Sequence, residues 1–345
     1  LSKNNIKYQY ISPEKICSKL GPQAIEEVNI EKEIATVRRG DAFGFCVAWS
    51  IWYADLRMTY PDIESKKRNL FLYNNPWRYY FTKQISVKKK INFVLNHCKK
   101  NQKVLDVGCG LGTLSFELAK KKIFSTGIDI SKKSIFFANF FKNKLLSKNN
   151  ASYINFLQTD LFKINEKKKF DVIIFFKTFH HLGNINKVLH KILKILKQNG
   201  KLILVEPLRS EFKFENAVYA YVLRFLSNTW INQQKKMRKI GKNDIKKGIH
   251  NIYNEYHYIT NKKKGFDQSP MDNSINDPKR LIGLIKKKFK INQHYFTDSF
   301  KDKLIGGLRG KRYKQYSIFF DHFDEILIEN KILNGTVLHL VATKK

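Results

Sequence analysis

The sequence predicts an α/β protein whose mostly parallel β-sheet carries helices on both faces. Three observations predict it. From Ser86 onward, short apolar runs alternate with helical stretches of about 10–15 residues, the pattern of βαβ units. The runs are apolar almost throughout, as in Phe170–Phe176 (FDVIIFF) and Gly200–Glu206 (GKLILVE). Strands covered on both faces read this way, whereas half-exposed strands alternate. A glycine-rich turn, Gly108 to Gly112, joins the first such run to the helix after it.

The elements follow in order. Ser86 is placed to cap a helix whose Val87, Ile91, Val94, Leu95 and Cys98 form one apolar stripe. Lys103–Val107 is the first strand, Leu111–Lys121 a helix, and Ile123–Ile130 the second strand. Ser131 caps a helix reaching about Leu146. Tyr153–Thr159 and Phe170–Phe176 are the third and fourth strands. Ile185–Lys197 is a strongly periodic helix, and Gly200–Glu206 the fifth strand. Residues 208–280 interrupt the alternation with a Lys-rich, aromatic-dotted stretch too long for a plain connection, so a helical cap or lid is expected. Ile291–Phe296 and Thr336–Thr343 complete a seven-stranded sheet, with a helical insert around Tyr313–Asn330.

Residues 1–75 read differently from the rest and are expected to be a separate segment, with the main domain spanning 76–345. Within the segment, Val47, Ile51, Ala54 and Met58 recur at helical spacing. Cys46, near Trp49, is read as a buried structural residue.

The net charge of +36 suggests an anionic partner. Yet 54 of the 65 basic residues are Lys, and residues 101–200 contain no Arg. Arg is preferred for bidentate phosphate and base contacts, so compositional drift with scattered surface Lys is the favoured reading, and nucleic acid the less favoured one. The four cysteines, Cys17, Cys46, Cys98 and Cys109, form no CxxC pair, which fits a reducing, cytoplasmic setting. The longest apolar stretch, Phe43 to Ala54, is too short for a membrane span. No metal site is expected, because the adjacent His180 and His181 have no accompanying HExxH or CxxC.

The informative string is VLDVGCGLG, Val104 to Gly112. A glycine turn there lets backbone approach a ligand closely, and the helix that follows presents free N–H groups. Thr113 stands where a GxGxxG fingerprint needs its third glycine, so the pyrophosphate pattern of dinucleotide enzymes is lacking. Seventeen residues after Gly112, Asp129 ends the second strand, where a carboxylate can accept from both hydroxyls of a ribose. Asp160 ends the third strand; helix N-capping is its competing role.

From about Ser86 to Glu206, this arrangement resembles the class I methyltransferases that use S-adenosylmethionine, in their small-molecule type found in ubiquinone and menaquinone biosynthesis. The resemblance implies a Rossmann-like fold with an antiparallel last strand. It also implies that Gly108, Gly110 and Gly112 cradle the methionine part of the cofactor, with Asp106 near its amino group. It assigns Asp129 to the ribose and Asp160 with Leu161 to the adenine. Cys109, inside the turn and read as packing, Ile130 after Asp129, and Lys177 complete the expected cofactor-facing set.

Methyl transfer from a sulfonium is driven mainly by positioning and desolvation. A base matters when the acceptor carries a proton of high pKa. His180 and His181, in FFKTFHHL after the fourth strand, are the candidate bases, against the plainer reading that they only pack and satisfy backbone. The expected acceptor is a small molecule, lipid or glycan precursor, with RNA, protein or a non-catalytic role as rivals. Tyr219, Tyr221, Trp230, Tyr253, Tyr256 and Tyr258 are candidate pocket aromatics of the lid. The oligomeric state is not legible.

Overall fold

The computed structural model describes residues 85–226, 241–257, 278–301, 304 and 313–345. The chain divides into two units, Leu1–Asn75 and Pro76–Lys345, and every described residue belongs to the second. The helix expected around Val47 to Met58, Cys17 and Cys46, and the lid residues Trp230 and Tyr258, lie outside the described residues.

The strands are β1 (Lys103–Val107), β2 (Phe124–Asp129), β3 (Ile154–Gln158), β4 (Phe170–Phe176), β5 (Leu196–Pro207), β6 (Phe289–Thr297) and β7 (Val337–Lys344). They form one sheet in the order β3-β2-β1-β4-β5-β7-β6. The first five pair in parallel, and β7 runs antiparallel between β5 and β6. Seven strands with an inserted antiparallel last strand are what the sequence predicts. The order reverses between β1 and β4, which puts the tips of β1, β2 and β4 side by side at a topological switch point.

The helices are α1 (Ile85–Asn96), α2 (Thr113–Lys120), α3 (Lys132–Leu145), the short α4 (Lys148–Ala151), α5 (Ile185–Ile195), α6 (Phe214–Leu226), α7 (Lys242–Tyr256), α8 (Pro278–Lys288) and α9 (Tyr313–Glu329). Alternate residues of each central strand serve opposite layers. Leu105, Ile173, Phe175, Leu202, Leu204, Leu338 and Leu340 pack under Leu189 and Ile192 of α5 and Leu281 and Ile285 of α8. Val104, Val172, Ile174, Ile203, Val205 and Val341 pack under Ile91 and Val94 of α1 and Leu114 and Leu118 of α2. Both faces are buried, so apolar residues dominate the middle of these strands. A third cluster, with Phe212, Ala217, Ile252, Phe300, Phe320 and Leu327, joins the helices inserted after β5 and β6.

Four local expectations need correction. The first helix begins at Ile85, so Ser86 lies inside it and cannot cap it from outside. The helix expected from Leu111 starts at Thr113, because Gly110 and Gly112 hold left-handed backbone up to that point. Helix α5 ends at Ile195, and β5 starts at once with Leu196, so Lys197 belongs to the strand; its register against β4 jumps between Phe170–Leu196 and Val172–Lys201. Helix α8 was not foreseen; its signal is the one-turn spacing of Leu281 and Ile285 inside a Lys-rich stretch.

Ser131 does cap α3, its side chain accepting from the Ser134 N–H. Asn184 caps α5 by accepting from the Lys187 N–H. These caps fix where each helix leaves the strand edge that carries the site.

Candidate functional site

The glycine turn leaves β1 and is tied at once to the neighbouring strand. The N–H groups of Gly108 and Cys109 both donate to the Ile128 carbonyl, at 2.8 and 3.0 Å. Gly110 then donates its N–H to Oδ2 of Asp129 at 3.0 Å, while Oδ1 accepts from the Ser131 N–H at 2.8 Å. Two hydrogen bonds thus aim the Asp129 carboxylate at the turn. Adjacent parallel strands bring the two tips together, since Val107 pairs with Ile128.

Two glycines in this turn are needed for different reasons. Gly112 has φ +80°, and a Cβ there would lie 2.4 Å from Phe156 Cζ, so packing as well as backbone excludes a side chain. Gly110 has φ +54°, but no heavy atom lies within 4 Å of where its Cβ would be. Among the described residues, nothing fills the space before Gly110. A bare backbone facing open space, beside a carboxylate and the start of α2, is a cradle that fits a nucleoside-bearing ligand.

Asp106 stands deeper, only 1% exposed, with Oδ2 accepting from Ser115 Oγ at 2.8 Å. Ser125 Oγ donates in turn to Ser115 Oγ at 2.9 Å. Burial pushes the Asp106 carboxyl up to about 7, opposed by the Ser115 hydrogen bond and assisted by the negative charge of Asp129. Burial also raises Asp129, against the two backbone N–H groups that favour its charged form. Neither carboxylate meets a basic side chain among the hydrogen bonds and ion pairs of the described residues.

The remaining predicted positions are scattered. Burial raises the Cys109 thiol well above its ordinary value, and its Cβ packs beside Gly127. Ile130 is 67% exposed at the strand tip. Asp160 accepts from the Phe162 N–H at 2.7 Å and caps the short 3-10 helix Leu161–Lys163, the competing role foreseen for it. Leu161 is buried in the core under α5. Lys177 is exposed, in left-handed backbone just after β4. Of the candidate pocket aromatics, Tyr219 stacks on Phe300 and Tyr256 on Phe212, and Tyr221 packs on Gly248, so these rings pack among the inserted helices.

The loop after β4 completes the site. Thr178 rests on the glycine turn: its Oγ1 donates to the Gly108 carbonyl at 3.3 Å, and a Cβ on Gly108 would collide with it. Two residues on, His180 is nearly buried, and its Nδ1 lies 2.7 Å from Oε2 of Glu206. Oε1 of Glu206 accepts from the N–H groups of Thr178 and Phe179, both at 2.7 Å. Glu206 is fully buried at the end of β5. Its sequence signal is only a carboxylate at a strand tip; the residue it would meet is not legible from spacing. The His181 ring packs against His180, with centroids 3.9 Å apart.

Comparison with known proteins gives a family match over this region. The profile of a family described as a methyltransferase domain matches residues 98–264. The ubiquinone biosynthesis O-methyltransferase of Pelagibacter ubique (strain HTCC1062) is 32% identical over 129 residues, covering 37% of this chain and 52% of that one. Ribosomal RNA small subunit methyltransferase A of Wigglesworthia glossinidia brevipalpis is 30% identical over 149 residues, covering 39% of this chain and 54% of that one. The chain thus spans about half the length of the curated relatives it matches. Among solved structures, geranyl diphosphate C-methyltransferase from Streptomyces coelicolor A3(2) covers 75% of this chain and 78% of its own, with a TM-score of 0.44 and 8% identity. Residues 98–264 of this chain are thus similar to a methyltransferase domain.

Proposed function

We propose that the protein is an enzyme that moves a methyl group from S-adenosylmethionine to a hydroxyl of a small molecule. The observation that carries this reading is the junction of the bare glycine turn and the Asp129 carboxylate, with open space before Gly110. The cofactor would supply an electrophilic methyl group on a positively charged sulfur. Gly110 and its neighbours would hold the methionine part and Asp129 the ribose. A buried and a half-buried carboxylate, with no lysine or arginine partner among the described residues, suit a ligand that brings positive charge.

A hydroxyl acceptor is supported by the imidazole beside the turn, since an alcohol or phenol must lose a proton as its oxygen gains carbon. The relatives named as O-methyltransferases agree with it. The helices after β5 and β6, sharing one apolar cluster, would cover the acceptor and set its identity. No described helix is long and apolar enough to cross a membrane.

The test is to incubate the full chain with methyl-labelled S-adenosylmethionine and separate small-molecule, lipid and RNA extracts. Label in the small-molecule pool, lost in Asp129→Ala, is the expected result. Label entering RNA instead, with binding that weakens steeply as salt rises, would move the assignment to the ribosomal RNA enzymes that the chain also matches.

A further inference from the structure

Glu206 is where the site holds more than the family assignment supplies. At this end of β5 three donors or potential donors meet one carboxylate: the N–H groups of Thr178 and Phe179 at Oε1, and His180 Nδ1 at Oε2. The first two fix the loop after β4, and the carboxylate cannot turn without losing both. A carboxylate only accepts, so the ring nitrogen facing it must donate. That places the proton of a neutral His180 on Nδ1 and leaves the lone pair on Nε2. Nε2 has no hydrogen-bond partner among the described residues. Thr178, held by the same Glu206 oxygen, touches Gly108 of the turn.

We propose that Glu206 is a positioning residue: it holds His180 as the Nδ1–H tautomer, so that Nε2 is the base that takes the acceptor's proton. This rests on the hydroxyl-methylating reading above. The acceptor O–H gives its proton to Nε2 as its oxygen bonds to the methyl carbon, and the electron pair of the broken carbon–sulfur bond stays on sulfur. The imidazolium formed is stabilised by Glu206 across Nδ1–H. The His181 ring packs on His180.

The substitution Glu206→Gln tests this with little change in shape. The side-chain carbonyl can still accept from Thr178 and Phe179, but the amide now donates to His180 Nδ1 and forces the proton onto Nε2. In the full chain labelled with ¹⁵N-histidine, long-range proton–nitrogen spectra distinguish the tautomers, with His180→Gln identifying the signal. The expected result is Nδ1–H in the wild type and Nε2–H in E206Q, with or without S-adenosylhomocysteine. With the acceptor that takes up label in the extract experiment, kcat should fall about a hundredfold or more while KM and cofactor affinity stay within about twofold. A wild-type His180 protonated on Nε2 would overturn the proposal without any variant, and so would an E206Q enzyme with undiminished kcat. A wild type that binds no S-adenosylmethionine breaks the functional reading instead, and the tautomer result still stands apart from it.

Discussion

Two groups of buried charge in this domain are built on opposite terms. Around the glycine turn, Asp106 and Asp129 are both carboxylates, raised by burial, and among the described residues meet hydroxyl and backbone donors but no cation. Where β6 ends, every acid is answered. Asp298 meets both Lys90 and Lys301, Asp321 meets Lys301 at 2.5 Å and Lys89, and all but Lys89 are 3% exposed or less. Asp324 accepts from the N–H groups of Ser299, Phe300 and Lys301 and from the Ser299 hydroxyl. Burial pulls the Lys301 ammonium down, but Asp298, Asp321 and Asp324 overrule it and hold it above the ordinary lysine range. Even the cluster Asp321, His322 and Glu325, whose ligand-type atoms lie within 4.8 Å of one another, has the Lys89 ammonium bridging two of its members.

The contrast separates structural charge from charge held for a ligand. Burying an ion without a partner costs several kcal/mol, so a cluster that only joins α1, β6 and α9 must be neutralised from within. A site for a cationic ligand can leave its carboxylates unanswered, since the ligand completes them.

The largest effect should come from breaking the closed cluster. Lys301→Met leaves Asp298 and Asp321 each short of a cation and is expected to cost about 3–5 kcal/mol in urea denaturation. A loss under 1 kcal/mol would mean that these charges are not tightly coupled.

The open pair should respond to pH instead. Asp106 has a folded value of about 7 against 3.8 for the ordinary carboxyl, so the folded state holds its proton more tightly. Its stabilising contribution is fully present below about pH 4 and is lost as pH rises through 7. Asp106→Asn, which cannot lose a proton, should gain on the wild type by up to about 4 kcal/mol between pH 4 and pH 8. A constant difference in melting temperature across that range would contradict it.

Next is the turn itself. Gly110→Ala should cost about 1–2 kcal/mol of stability, from its left-handed backbone alone, yet abolish calorimetric binding of S-adenosylmethionine. Gly112→Ala should cost more stability, because Phe156 must also move. If Gly110→Ala binds the cofactor normally, the space before the turn is not the cofactor site. The smallest effect is at Asp160. Asp160→Asn keeps the N-cap and should change stability by less than about 0.5 kcal/mol, whereas Asp160→Ala should lose about 1 kcal/mol. A large fall in cofactor affinity in the Asn variant would show that capping is not its main role.

Most of the sheet was legible because each of its elements carries a local signal. FDVIIFF and TVLHLVAT read as buried strands by composition alone, and Ser131 read as a cap because its hydroxyl acts within three residues. The unforeseen α8 and the early start of β5 lack such signals: their apolar residues are sparse, and long-range pairing with β4 decides where β5 begins.

The sequence by itself determined the strand count, the glycine turn and the carboxylate at the tip of β2, since each depends on residue type and short spacing. Only the tertiary structure decided that Glu206 faces His180, 26 residues away, and that Lys90 faces Asp298, more than 200 residues away. Burial and pairing are properties of neighbours in space. A carboxylate is the same letter in the chain whether a lysine, a backbone N–H or a future ligand completes it.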